Sequence, residues 1–375
     1  MNSLQTSLSL QNALDFLSLQ QGNSEHCFAG AFACMLYGDD IPGSQEIGQV
    51  DWTVFNTALV IPLLRELTVE NESKTPLPLP DFRTRLAEMM TRAEGFLQKA
   101  ALDNPEGSYG FWPPTARSKA AADLDDTALA YFALSGGSPD NKLPNGENCQ
   151  EIVWRLFAPY RITAGTPLAK GSRWAAAFPG VFQTWMSTNR GETHAVVDAT
   201  VIVHICRLLL SLGLTDFPGL LPSLRLLNEG LSDGPTATIP VEQFSPYYRS
   251  KTRFWSACSK IPPVIPEAVQ VRETLCAVLQ QQPFDADLSF EDRLWLATAS
   301  KECGLLKVED LNALVALQQL DGGWPPIPLC NDLLGRWHWT SRVLSTLLVL
   351  NLLDPDFSSL TTSASNTAKE LAHPC

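Results

Sequence analysis

The 375-residue chain carries 27 Lys+Arg against 40 Asp+Glu, a net charge of −13, and its pI is about 4.8. This balance argues against a nucleic-acid partner, because phosphate binding needs a basic stripe that releases counterions. Hydrophobic residues at 45% and charged ones at 18% exclude disorder for most of the length and are enough for a sizeable core. The 10 Trp and 17 Phe beside 27 Pro point to packed helix junctions or an aromatic-lined cavity.

Along the chain, apolar residues recur at helical spacing and strand-like alternation is rare. The pattern predicts helices over roughly 4–20, 27–37, 51–69, 82–101, 124–135, 147–158, 194–213, 217–230, 242–259, 266–281, 289–303, 308–320 and 337–353. Pro- and Gly-rich punctuators separate them, among them SKTPLPLP, NPEGSYGFWPP, SDGPTATIP and LDGGWPPIPLC, and each stops one helix and re-aims the next. The segment 199–213 is apolar on nearly every side, as only a buried helix is, whereas 82–101 keeps a charged face. An all-α chain of helix pairs follows, one domain over 1–355 with a polar tail at 356–375. Inner and outer helices of this kind can close into a ring, and a bundle or solenoid gives the same periodicity.

Nine cysteines lie without C-x-x-C spacing, which excludes a zinc ribbon or a thioredoxin-type pair. Their odd number, and an opening MNSLQTSLSLQNALDFL without a basic n-region, fit reduced thiols and a cytoplasmic location. The most apolar stretch, 196–213, contains Asp198, His204 and Arg207 and reads as a buried helix rather than a membrane span.

The sharpest local signal is AAADLDDTALAYFAL, where Asp123, Asp125 and Asp126 enter a helix. Helix capping explains one such carboxylate. Three within four positions repel one another, and in dry surroundings at least one is raised enough to stay protonated. A neutral carboxylic acid facing an aromatic-lined cavity can protonate an alkene, and aromatic faces can stabilise the cation that results.

DLDDTA at 123–128 resembles the D-x-D-D-T-A motif of class II terpene cyclases. LQQLDGGWPP at 317–326 is similar to the Q-x-x-D-G-G-W repeat of the same superfamily, and GSYGFWPP at 107–114 resembles its Gly/aromatic loop. The resemblance implies a single α6–α6 barrel of the standalone, drimenyl diphosphate synthase-like kind, with Asp125 as proton donor and Asp123 and Asp126 tuning it. It also implies that Trp324 is structural. Full class II cyclases add a second barrel, for which 375 residues leave no room; a shorter chain such as farnesyl diphosphate, cyclised to a drimane-type bicycle with its diphosphate retained, suits the size. Protonation needs no cofactor, and Mg²⁺ is plausible only as a partner of the diphosphate.

Candidate substrate-facing aromatics are Phe111, Trp112, Trp185, Tyr247, Tyr248, Phe254, Trp337 and Trp339, with Phe182 and Trp255 behind them. Candidate diphosphate cations are Arg249, Lys251, Arg253 and Arg336, with Arg117 and Lys119 before the acidic motif. His194 and His204 could orient the acid, and no histidine has metal-ligand spacing. Three other readings remain: a zinc protein prenyltransferase-like enzyme, an α6–α6 glycoside hydrolase or lyase, and a non-catalytic scaffold.

Overall fold

The structure is a computed structural model that describes residues 3–23, 28–38, 48–68, 81–103, 105–114, 121–136, 142–143, 146–186, 194–232, 239–282, 284–285 and 287–353. The expected tail at 356–375 lies outside them. Thirteen α-helices are assigned among these residues: α1 (Ser3–Leu19), α2 (Val54–Thr68), α3 (Phe82–Lys99), α4 (Leu124–Ser135), α5 (Cys149–Phe157), α6 (Ala199–Ser211), α7 (Leu220–Leu231), α8 (Val241–Phe244), α9 (Lys251–Ser259), α10 (Pro266–Gln280), α11 (Phe290–Glu302), α12 (Val308–Val315) and α13 (Arg342–Leu352). Contacts run from α2 to α4, α6, α9, α11 and α13, and α13 packs back on α2. Outside this cycle, α1 and α3 pack on each other and on α13 and α2, α7 on α6 and α10, α5 on α4, and α12 on α11 and α13.

The six helices of the cycle share one direction. Each starts with an oxygen side chain bonded to a first-turn N–H, which satisfies a donor the helix cannot. The pairs are Thr53 with Asn56, Asp123 with Asp126, Asp198 with Thr200, Ser250 with Arg253, Ser289 with Asp292, and Ser341 with Leu344. Their far ends are tied together by cations. Arg65 donates to the Ala133 carbonyl and to Glu94, Lys260 pairs with Glu302 at 2.6 Å, and Lys301 donates to the Asn351 carbonyl. Between the ends, α6 is buried on almost every side, as its uninterrupted apolar sequence requires.

The expectation of an all-α chain is corrected by two antiparallel sheets. One has the order β2-β1-β7-β6, with β1 at Ala33–Gly38, β2 at Gln49–Trp52, β6 at Ile327–Asn331 and β7 at Trp337–Ser341; the other joins β3 (Leu102–Asp103), β4 (Glu106–Gly110) and β5 (Ala122–Asp123). The predicted helix at 27–37 is therefore largely strand, because Met35 lies opposite both Val50 and Thr340. Short apolar runs do not distinguish helix from buried strand by period alone. The first residues of the predicted 337–353 helix are the alternating strand WHWTS, and 242–259 splits around Ser245–Ser250, where Pro246 follows the four-residue α8.

Two further sequence readings meet specific outcomes. The nine-thiol expectation is corrected at one pair: Cys276 on α10 and Cys303 at the end of α11 form a disulfide, with Cα atoms 5.6 Å apart. The D-G-G-W motif is a clamp between α1, α12 and α13. Arg342 holds both Asp321 oxygens at 2.7 Å, and Gly322 adopts φ +91° where a Cβ would collide with the Asn12 carbonyl. Trp324 is fully buried and donates its indole N–H to the Leu314 carbonyl at 2.9 Å.

Candidate active site

At the capped ends of the cycle lies a cavity of about 590 Å³, within the usual range of small-molecule sites. Its walls are the starts of α2 and α4 (Phe55, Asp123, Asp125, Asp126), the loop after β4 (Phe111, Trp112), Thr184 and Trp185, Tyr247 and Tyr248 before α9, and the β6–β7 hairpin from Cys330 to Trp339. The acidic motif reaches it because β5 is held between two neighbours. Tyr109 pairs with Asp123 on one side, and the Leu124 N–H donates to the Thr184 carbonyl at 2.8 Å on the other.

The three aspartates have different surroundings. Asp123 caps α4, accepting the Asp126 N–H at 2.7 Å. Asp126 is buried with its Oδ1 unpartnered. Asp125 is 6% exposed and held at both oxygens: His204 Nδ1 sits 2.6 Å from Oδ1, and the Tyr248 hydroxyl donates to Oδ2. Burial pushes the Asp123 carboxyl up to about 7, with the nearby Asp125 adding to it against hydrogen bonds that pull it down. Burial likewise holds Asp126 well above the carboxylate range, with Asp123 and Asp125 reinforcing the shift. Two neighbours of Asp125 thus retain protons far more readily than free carboxyls do. Tyr248 stays a phenol, since burial and then the Asp125 charge raise it well above 10.

Behind this group, Asp198 caps α6 and ties it to the loop before α9. It accepts from Thr200 and Val201 N–H, from the Ser245 hydroxyl at 2.7 Å and from the Tyr247 N–H at 2.9 Å. One carboxylate thereby fixes the helix that carries His204 and the loop that carries Tyr248. Burial pushes it up to about 7 as well.

Of the aromatics expected at substrate, Phe111, Trp112, Trp185, Tyr247, Tyr248, Trp337 and Trp339 line the cavity, joined by Phe55. Phe254 does not: it is buried edge-on against Phe244. Phe182 and Trp255 are core residues. Of the four cations expected at a diphosphate, only Arg336 lines the cavity. Arg249 holds the hairpin by donating to the Asp332 and Leu333 carbonyls, and exposed Lys251 lies over Trp255. Arg253 is buried between the Tyr248 and Trp295 rings and donates to the Pro328 and Leu329 carbonyls. Arg117 and Lys119 fall outside the described residues. His194 is exposed, and His204 is the histidine at the acid.

Sequence reasoning gave no role to Asp198, Asp51, Thr184 or the hairpin tip. For Asp198 a signal existed, an Asp directly before the apolar run ATVIV, which is an N-cap pattern. Among the described residues, no group of three or more His, Cys, Asp or Glu side chains is placed to hold a metal ion. No helix there is long and apolar enough to cross a membrane.

No protein-family model matches the chain, and no curated protein matches it by sequence. Solved structures do. The apo type II terpene cyclase MstE from Scytonema superposes with a TM-score of 0.58 at 13% identity, over 95% of this chain and 99% of that one. A tyrosine-to-phenylalanine variant of that enzyme gives 0.58 and 13%, over 94% and 96%. At this identity the likeness is one of fold: the chain has a terpene cyclase-like architecture.

Proposed function

We propose that this protein is a class II terpene cyclase of the single α6–α6 barrel type, its six-helix cycle inside and its other long helices outside. Asp125 is the proton donor. The observation that carries the reading is a buried carboxyl, held at both oxygens by His204 and Tyr248, on the wall of a cavity that eight aromatic residues also line.

In this reaction the terminal alkene of a linear prenyl chain takes the Asp125 proton with its π electrons, leaving a tertiary cation. The next alkene attacks that cation and closes a ring, and a further alkene closes a second. Loss of a proton from a carbon beside the last cation restores neutrality, so the product is an isomer of the substrate. The Asp125 carboxylate formed in the first step is stabilised by donors already in place, which need no reorganisation as charge develops. Asp123 and Asp126, raised by burial, keep protons close to it.

Farnesyl diphosphate is the proposed substrate. Its product is a drimane-type bicycle with the diphosphate retained, because protonation at the far alkene leaves the C–O bond untouched. The head group would lie at the hairpin beside Arg336, and Mg²⁺ would serve there as a counter-ion, with Asp332 the adjacent carboxylate 3.8 Å from the Arg336 guanidinium. The test is incubation with C10, C15 and C20 prenyl diphosphates, with and without Mg²⁺, then phosphatase treatment and product analysis, beside Asp125→Asn. Cyclised alcohols from the wild type and none from a folded Asp125→Asn are expected. Full activity in Asp125→Asn would refute the assignment.

A further inference from the structure

Behind the cavity wall, in the sheet that joins β2 to β7, lies a carboxylate with no place in the reaction so far. Asp51, on β2, uses a single oxygen, Oδ2, to accept two indole N–H groups, from Trp112 at 3.0 Å and from Trp339 at 2.9 Å. Its other oxygen accepts the Trp52 backbone N–H at 2.8 Å. Both indoles line the cavity and Asp51 does not, so the carboxylate sits behind the rings. The two rings come from segments 61 and 288 residues away in sequence, and the 5.9 Å between their centroids is fixed by that shared acceptor.

The rings also have a defined position relative to the acid. Tyr248, bonded to Asp125, leads to Phe55 at 6.0 Å, Phe55 to Phe111 at 5.7 Å, and Phe111 to Trp339 at 4.7 Å. As rings close, the positive carbon moves along the substrate away from the proton donor. The indoles are thus three ring contacts removed from the acid, where a cation formed later along such a substrate would lie. An indole N–H bonded to a carboxylate gains electron density, and its negative face attracts a cation more strongly.

Resting on the cyclase reading, we propose that Asp51 is a positioning residue that acts through Trp112 and Trp339 to stabilise the late carbocation, and so sets how many rings close before the proton is lost. Asp51→Asn keeps the volume but removes the charge and one of the acceptor sites. It is expected to shift product from the bicycle toward monocyclic alkenes by severalfold while the first protonation proceeds, so that kcat for substrate consumption changes less than the product ratio does. Unchanged product ratios would overturn the proposal.

A second measurement does not depend on turnover. Dodecyltrimethylammonium, a cation on an alkyl chain, is compared with dodecanol by titration calorimetry. Asp51→Asn should weaken the ammonium about 5-fold and leave dodecanol unchanged, with no further loss when Asp51→Asn is added to Trp112→Phe/Trp339→Phe. Equal loss for both ligands, or an undiminished effect in the phenylalanine background, refutes an action through the indoles. If Asp51→Asn does not fold, Asp51→Ser is used in the same two comparisons. Wild-type protein that cyclises no prenyl diphosphate defeats the cyclase reading, and the ammonium comparison then decides separately whether Asp51 strengthens cation binding through the indoles.

Discussion

Tyr248→Phe isolates one hydrogen bond in the acid site. The Tyr248 hydroxyl donates to Asp125 Oδ2, while its ring packs against Phe55 at 6.0 Å and His204 at 5.9 Å and lies under the Arg253 guanidinium at 4.5 Å. Phenylalanine keeps the ring contacts and removes only the donor. A hydrogen bond to a charged group contributes about 1.5–3 kcal/mol, and this one strengthens as Asp125 becomes a carboxylate. At about 1.4 kcal/mol per decade, the cyclisation rate should fall roughly 10- to 150-fold. The assay is single-turnover formation of cyclised product, with thermal unfolding measured on the same preparations. A wild-type rate in Tyr248→Phe refutes the reasoning, and so does a rate loss accompanied by an equivalent loss of folded protein.

Stability should fall as pH rises from about 4 to about 7: burial lifts Asp198 from 3.8 to about 7, so the native state binds a proton that the unfolded chain has released. The slope is worth up to about 4 kcal/mol, and urea unfolding of Asp198→Asn at pH 5 and 7.5 should show it diminished. Reducing the Cys276–Cys303 bond, which spans 27 residues, should cost about 3.5 kcal/mol on loop-closure entropy, read as a lower unfolding midpoint that Cys276→Ser no longer shows on reduction. Trp324→Ala removes a fully buried indole and its bond to Leu314 and should cost about 3–5 kcal/mol, measured by urea denaturation. Arg253→Met should destabilise the fold through loss of its carbonyl partners on β6 before it raises KM, the reverse of what a diphosphate ligand would do.

What could be read from residues alone divides along physical lines. The helix at 124–135 and the carboxyl cluster at its start were legible because cap, charge cluster and apolar run coincide within a dozen residues. The strands at 33–38 and 337–341 were not, since each is defined by pairing with the other across about 300 positions. The same limit hid Asp51, whose partners are Trp112 and Trp339. Basic residues were the least legible class: Arg249 and Arg253 sit among aromatics, as a diphosphate site would require, yet their guanidinium groups are used by backbone carbonyls of the hairpin. Local charge patterns do not reveal that use.

The parallel alignment of the six helices of the cycle has an electrostatic consequence. The positive ends of their peptide dipoles gather at the capped end of the cycle, where the cavity lies, and disfavour a cation there. Four of those ends are covered by neutral hydroxyls, and two, α4 and α6, by the carboxyls of Asp123 and Asp198. The chamber is therefore polarised before any guest enters. α4 and α6 carry Asp125 and its partner His204, and their capping carboxyls, lifted to about 7, make that flank the more negative one only as pH rises through neutrality.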